Sequence, residues 1–153
     1  MAYTQYKARM YDLHFIITDQ WDVSSIVALY TDAGWWKAEY DPQQVPGLIQ
    51  ASFRFCVGIF RKTGETVAMG RIISDGITTA IIQDMCVLKK YRGQGIGHQL
   101  LSVLIATAQK AGLSRIVLVA EPGTVPFYEK SQFIADKNKI FLLYEKGHKN
   151  EIV

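Results

Sequence analysis

Long apolar stretches are missing from these 153 residues. The longest uncharged apolar runs are strand-sized, far short of the roughly 18 to 20 residues a membrane helix needs. The first residues, Met1-Ala2-Tyr3-Thr4-Gln5-Tyr6-Lys7, hold no apolar core of the kind a secretory leader carries, so neither a signal peptide nor a membrane partner is expected. Cysteine is scarce too. Cys56 and Cys86 both sit in apolar runs and read as free buried thiols, which fits a reducing, cytoplasmic setting and needs no disulfide. No basic stripe interleaved with aromatics is present. The net charge is only +3, and three of the positive residues, Lys89, Lys90 and Arg92, gather in one turn, so nucleic acid is not an expected partner. No internal repeat or low-complexity tract is present, and no second domain is expected. The length suits a single domain over residues 1–153, able to bury roughly two-thirds of its unfolded surface without staples.

What is present is an apolar run, a basic turn and a glycine-rich entry to a helix: Val87-Leu88-Lys89-Lys90-Tyr91-Arg92-Gly93-Gln94-Gly95-Ile96-Gly97-His98-Gln99-Leu100-Leu101. Glycine lets backbone take positive φ and approach a ligand closely, and the first amides of a helix have no intrahelical acceptor. Such amides, with the positive end of the helix dipole, suit a pyrophosphate and need no metal. Two familiar phosphate loops are excluded by spacing. A P-loop needs Gly-Lys-Ser/Thr, and no Lys-Ser or Lys-Thr follows these glycines; a dinucleotide fingerprint needs Gly-x-Gly-x-x-Gly near the first strand, whereas this loop follows roughly 85 residues of other structure. The spacing that fits is Arg/Gln-x-x-Gly-x-Gly/Ala, read here from Arg92 to Gly97.

That pattern resembles the acetyl-CoA loop of the GNAT superfamily of N-acetyltransferases. Ile81-Ile82-Gln83-Asp84-Met85-Cys86-Val87 resembles the family's central strand, and Pro126-Phe127-Tyr128-Glu129-Lys130-Ser131-Gln132-Phe133 its tyrosine-bearing segment, with Gln132 where a glycine is usual. Gly70-Arg71-Ile72-Ile73-Ser74-Asp75-Gly76 and Leu29-Tyr30-Thr31-Asp32-Ala33-Gly34-Trp35 are similar to phrases of one bacterial branch, so the likeness runs from about residue 13 to 145. One departure stands out: Glu121 occupies the place, about seven residues before the tyrosine, where many relatives carry a cofactor-contacting asparagine.

Periodicity predicts a strand over residues 13–18, a helix over 22–33 closed by Gly34, and a short helix over 42–51 made irregular by Pro46-Gly47. Strands follow over 53–60, 66–73 and 78–88, then a helix over 93–111 closed by Gly112. Residues 116–120, nearly all apolar, read as a strand covered on both faces. A short helix near 125–131, a closing hairpin of Phe133 with residues 140–144, and a frayed tail from Glu145 complete the chain. The expected fold is α/β, a mixed and mostly antiparallel sheet of about six to seven strands with helices on both faces. Dimerisation through late strands is open to it.

The resemblance implies transfer of an acetyl group from acetyl-CoA, as co-substrate, to an amine of a small molecule or a protein, by direct attack in a ternary complex. A catalytically idle acyl-CoA sensor is the alternative. In this reading the amides of Gly93, Gln94, Gly95, Ile96, Gly97 and His98 hold the pyrophosphate, Arg92 adds a charge-assisted contact, and backbone at Met85, Cys86 and Val87 pairs with the pantetheine arm. One of those strand amides can also bond the thioester oxygen as it gains charge. Tyr128, with an ordinary pKa of about 10, is the candidate acid for the departing thiolate, and Asp84, a carboxylate in an apolar strand, is the candidate base. His14, His98, His148, Glu39 and Asp75 are weaker bases. Trp35-Trp36, with Trp21, Tyr40 and Phe53, either line an amine pocket or are core.

Overall fold

The computed structural model describes residues 12–146; Met1 to Lys7, His148 and the tail from residue 147 lie outside the described residues. These fall into two compact units, one ending at Leu118 and the other beginning at Val119.

The first unit is built on one five-stranded sheet, in spatial order β1 (Leu13–Thr18), β2 (Arg54–Phe60), β3 (Glu65–Ile73), β4 (Thr79–Val87) and β5 (Arg115–Leu118). The first four strands run antiparallel to their neighbours; β4 and β5 are parallel. A parallel pair needs a crossover, and α3 (Ile96–Lys110) supplies it. Helix α1 (Val23–Asp32) starts where Asp22 accepts a hydrogen bond from the Ser25 amide at 2.8 Å. Helix α2 (Val45–Ala51) follows a single 3-10 turn, Pro42–Gln44, and keeps its helical form because Pro46 stands in its first turn, where a missing N–H costs nothing.

Strand alternation sends neighbouring residues to opposite faces. Met69 joins Ile26, Leu29, Tyr30, Val45, Ile49, Phe55 and Val57 in a core under α1 and α2. Gly70, next in β3, points the other way, where a Cβ would lie 2.9 Å from Leu104 and 3.6 Å from Leu100 of α3. Helices therefore cover both faces, and a glycine is needed where α3 comes closest. Trp35 and Trp36 pack against the first core, their rings 6.4 and 6.3 Å from that of Tyr30.

Each of three helices ends in a left-handed residue with paired 6→1 and 5→2 hydrogen bonds. Gly34 and Gly112 close α1 and α3 in this way, Trp35 N donating to Tyr30 O and Leu113 N to Ala108 O. In the second unit Gln132 closes α4 (Val125–Glu129) with φ +68°, Phe133 N donating to Tyr128 O at 3.3 Å while the two rings meet at 6.0 Å. The family-like glycine is thus replaced by a residue held in a strained conformation. The left-handed form costs a side chain about 1 to 2 kcal/mol, against the 0.5 to 1 kcal/mol that glycine's extra freedom forfeits. Gln132→Gly should then stabilise the protein by about 0.5 to 1 kcal/mol. A denaturation midpoint that falls instead refutes this account of the helix end.

Two expectations are corrected. The sheet has five strands among the described residues, not six to seven, because the closing hairpin is absent. Phe133 is spent on the end of α4, while Ile140, Phe141, Leu142, Leu143 and Tyr144 form no strand and are 67–87% exposed. An apolar run is a strand only where an edge pairs with it, and local sequence does not specify that edge. Nor is β5 covered on both faces; it is the four-residue edge of the sheet and only half-buried.

Candidate active site

The glycine turn does what its composition suggests. Gly93 and Gly95 take φ +74° and +82°, and no atom lies within 4 Å of where a Cβ would stand on either. Helix α3 therefore starts at Ile96, three residues later than periodicity predicts. Gly95 is its N-cap; no side chain caps the helix, and its first turn holds no acidic residue. The amides of Ile96 and Gly97, as the first two of the helix, have no intrahelical acceptor. Together with the left-handed turns before them they form a concave set of donors at the positive end of the 15-residue α3 dipole. Gln94 and His98 are half-buried here, and the His98 carbonyl accepts from the Ser102 hydroxyl at 2.9 Å.

The basic turn is less available than its charge suggests. Lys90 donates to Glu65 Oε1, Tyr91 donates through its hydroxyl to Glu65 Oε2 at 2.6 Å, and Asp32 Oδ2 accepts from the Lys89 amide at 2.7 Å. Arg92 uses its Nε on the Val87 carbonyl at 2.9 Å, which ties the loop to the end of β4. Part of this positive charge is structural.

Strand β4 is irregular where chemistry is expected. Cys86 lies opposite Met69 and Gln83 opposite Arg71, so β4 spends one more residue than β3 between these pairs, a bulge at Asp84 and Met85. Asp84 has φ +53°, a conformation that costs a non-glycine residue on the order of 1 kcal/mol. The β4–β5 ladder stops just before the bulge, at Ile82 with Leu118, so no strand pairs with the far edge of residues 83–87 among those described. Leu88 N donates to Val67 O, which makes Val87 and Ala68 a non-hydrogen-bonded pair; the Val87 N–H therefore points to that far edge. Met85 faces α3, its Cγ 3.4 Å from a Cβ position on Gly70, while Cys86 is buried in the opposite core.

The Asp84 carboxylate is not solitary. Its Oδ2 accepts from Arg71 Nε at 2.6 Å and from the Tyr30 hydroxyl at 2.7 Å; the ion pair's side chains are 15% and 20% exposed. Burial, and then the Asp84 charge, push the Tyr30 phenol far above its ordinary range, so it stays a neutral donor. Sequence reasoning does not single out Arg71 and Tyr30 as site residues. The available signal is Asp84 itself, since a lone carboxylate in an apolar strand needs a cation or hydroxyl from elsewhere in the fold.

In the second unit Tyr128 lies on α4, half-buried, with its ring edge-on to Phe127 at 5.0 Å and to Phe133. Desolvation, and then the nearby Glu121 carboxylate, hold its phenol above the usual tyrosine range. The weaker candidates are otherwise engaged or exposed. Asp75 accepts from the amides of Ile77 and Thr78, which lowers its carboxyl; His14 Nδ1 lies 3.1 Å from Arg61; Glu39 is exposed. Among the described residues no cluster of three or more His, Cys, Asp or Glu could hold a metal ion, and no helix is long and apolar enough to cross a membrane.

Cys56 and Cys86 are free and buried, as expected, and burial pushes both thiols up to about 12. A raised value favours the protonated thiol in the folded state. That share of stability is whole below the ordinary 9.0 and is lost as pH climbs toward 12. Melting temperature should accordingly fall between pH 9 and 12, and alkylation of native protein at pH about 7.5 should be slow. Rapid labelling of both cysteines without unfolding contradicts this.

Comparison with known proteins agrees with the geometry. The family model described as "Acetyltransferase (GNAT) family" matches residues 11–133. A chloroplastic serotonin N-acetyltransferase 2 of Oryza sativa subsp. japonica is 35% identical over 77 residues, half of this chain and 38% of that protein. An uncharacterised ycf52-like N-acetyltransferase of Prochlorococcus marinus is 30% identical over 76 residues, 48% of this chain and 42% of the other. The chain thus spans less than half the length of these curated relatives. Among solved structures, a GNAT family acetyltransferase from Streptococcus pneumoniae superposes with a TM-score of 0.74 at 18% identity, covering 89% of this chain and 99% of that one. A Trypanosoma brucei acetyltransferase does so at 0.70 and 22%, covering 87% and 100%. With the greater part of its sequence under one family model, and its fold shared with solved members, the chain belongs to the acetyltransferase (GNAT) family.

Proposed function

We propose that this protein transfers the acetyl group of acetyl-CoA to a primary amine, on a small molecule or a protein, by direct attack in a ternary complex. The observation that carries the reading is the uncapped start of α3, approached through two open left-handed glycines and lying one short turn from a strand edge that has no partner among the described residues. Donors at residues 93–98 suit a diphosphate, and Arg92 lends charge through the part of its guanidinium not spent on Val87. Backbone at Met85 and Val87, with Cys86 between them turned to Met69 of β3, suits an extended amide-bearing arm, since an open strand edge binds such a chain by main-chain hydrogen bonds from alternate residues.

The co-substrate supplies an activated thioester. The Val87 N–H is the donor for its carbonyl oxygen as negative charge grows there. The amine must arrive neutral; its nitrogen bonds to the carbonyl carbon, the carbon–sulfur bond breaks, and one proton passes in net from nitrogen to sulfur. Tyr128, protonated throughout the neutral range, is the donor to sulfur. The acceptor's proton leaves to water or to a carboxylate. Two buried reduced thiols suit a reducing compartment such as the cytoplasm.

A thiol-release assay on purified protein, with acetyl-CoA and pooled amines, tests enzyme status and acceptor class together. Free thiol that requires both substrates is the expected result. Tight acetyl-CoA binding without turnover on any amine would leave the idle sensor as the better reading, and tighter binding of ATP or NAD than of CoA removes the acyl assignment.

A further inference from the structure

We infer that Tyr30, Arg71 and Asp84 form a strut that holds the β4 bulge and so positions the strand edge used for acetyl-CoA, with Asp84 a positioning residue rather than the base. The inference rests on the functional reading above, since the edge matters only if an acyl-CoA lies along it.

The order of events along β4 carries the argument. Pairing with β5 runs through Ile82; the extra residue follows Gln83; the edge that is unpaired among the described residues, with the outward Val87 N–H, comes next. An inserted residue bends and twists its strand, so the bulge sets the direction in which residues 85–87 run on beyond Leu118, the last residue of β5. Asp84 sits at the bend in a backbone conformation that its own chain does not favour, and its neighbours must hold it there.

They do so from two directions. Arg71 belongs to β3, the strand opposite; Tyr30 belongs to α1, its ring buried in the core beside Trp35 and Trp36. Both donors meet on the same oxygen, Oδ2, so the bend is tied at one point to a strand and to a helix that are each fixed independently. The Tyr30 phenol stays protonated at working pH and so keeps a hydrogen to donate to its end of the tie. A general base has the opposite requirement, an oxygen open to an incoming amine. Oδ2 already serves two donors, leaving Oδ1, which has no hydrogen-bond partner among the described residues, as the only atom the base reading could use.

The two roles separate in a comparison of variants. Asparagine keeps an oxygen with two acceptor sites and tolerates left-handed backbone, but cannot take a proton from an amine. For the strut, Asp84→Asn keeps kcat within about fivefold of wild type with the limbs of the pH profile in place, whereas Asp84→Ala raises the acetyl-CoA Kd about ten- to fiftyfold. Tyr30→Phe, which deletes one hydroxyl from a core that otherwise stays packed, raises that Kd about three- to tenfold with kcat little changed. Melting curves confirm that each variant is folded, and calorimetry gives the Kd. The strut is overturned if Tyr30→Phe binds acetyl-CoA as wild type does while Asp84→Asn loses two or more orders in kcat and the acid limb of its profile. A wild-type protein that neither binds acetyl-CoA nor turns over overturns the functional reading instead, so the two failures are distinguishable.

Discussion

Gly95→Ala should weaken acetyl-CoA binding by about 30- to 300-fold, while Gly64→Ala should leave it within about twofold. The two glycines are a matched pair. Each takes a left-handed φ, +82° at Gly95 and +71° at Gly64, and neither has an atom within 4 Å of where an added methyl would stand. In each case alanine meets no clash, so its cost is that of the backbone alone, about 1 kcal/mol of stability. They differ in what surrounds that open space. Gly64 lies in the turn between β2 and β3, whereas Gly95 caps α3, with the Ile96 and Gly97 amides directly after it. If a diphosphate sits on those amides, a methyl at Gly95 stands where it approaches, and a shift of the cap misdirects the donors. Losing two hydrogen bonds to a charged group, at about 1.5 kcal/mol or more each, is about two orders of magnitude in affinity. Calorimetric titration of both variants decides the matter; equal affinities would mean that the open glycine turn is not the phosphate site.

The parts of this structure legible from sequence are those whose cause is local. Strand β1 falls on Leu13–Thr18 because residues flanking a β-rich run end it, and α1 begins after Asp22 because a short carboxylate side chain satisfies an orphan amide. Gly34 and Gly112 mark helix ends for the same kind of reason, and the glycine turn announces α3. What was not legible depends on partners distant in the chain. Arg71 is 13 residues from Asp84 and Tyr30 is 54 away, so their convergence on one oxygen exists only once β3, β4 and α1 are assembled. The bulge is hidden because the β-rich run from Thr79 to Val87 reads as one unbroken strand; the adjacent polar pair Gln83-Asp84, which breaks the apolar alternation there, is its one local trace, and aspartate is among the side chains enriched in left-handed backbone. Residues 140–144 misled in the opposite sense. Their composition is that of a strand, and nothing in it says whether an edge is present to receive them.

Tyr128→Phe should lower kcat by about ten- to a thousandfold while changing acetyl-CoA affinity little. The ring lies half-buried between Phe127 and Phe133, so phenylalanine keeps the packing and removes only the hydroxyl. Stability should change by no more than about 1 kcal/mol, the worth of one ordinary hydrogen bond. A phenol donates usefully to a thiolate because the two have similar basicity, near 9 to 10, and expulsion of a protonated sulfur is easier than expulsion of an anion. Desolvation and the Glu121 charge raise the phenol further, which keeps it protonated through the neutral range and moves any loss of activity from its ionisation above pH 10. Glu121→Gln removes the second of these causes, so the alkaline limb should shift downward while kcat at neutral pH stays within about threefold, since the acid is still fully protonated there. Rapid-quench measurement of the first turnover keeps product release from masking the effect. Wild-type turnover in Tyr128→Phe would remove the residue from the mechanism and leave solvent as the proton source for the departing sulfur.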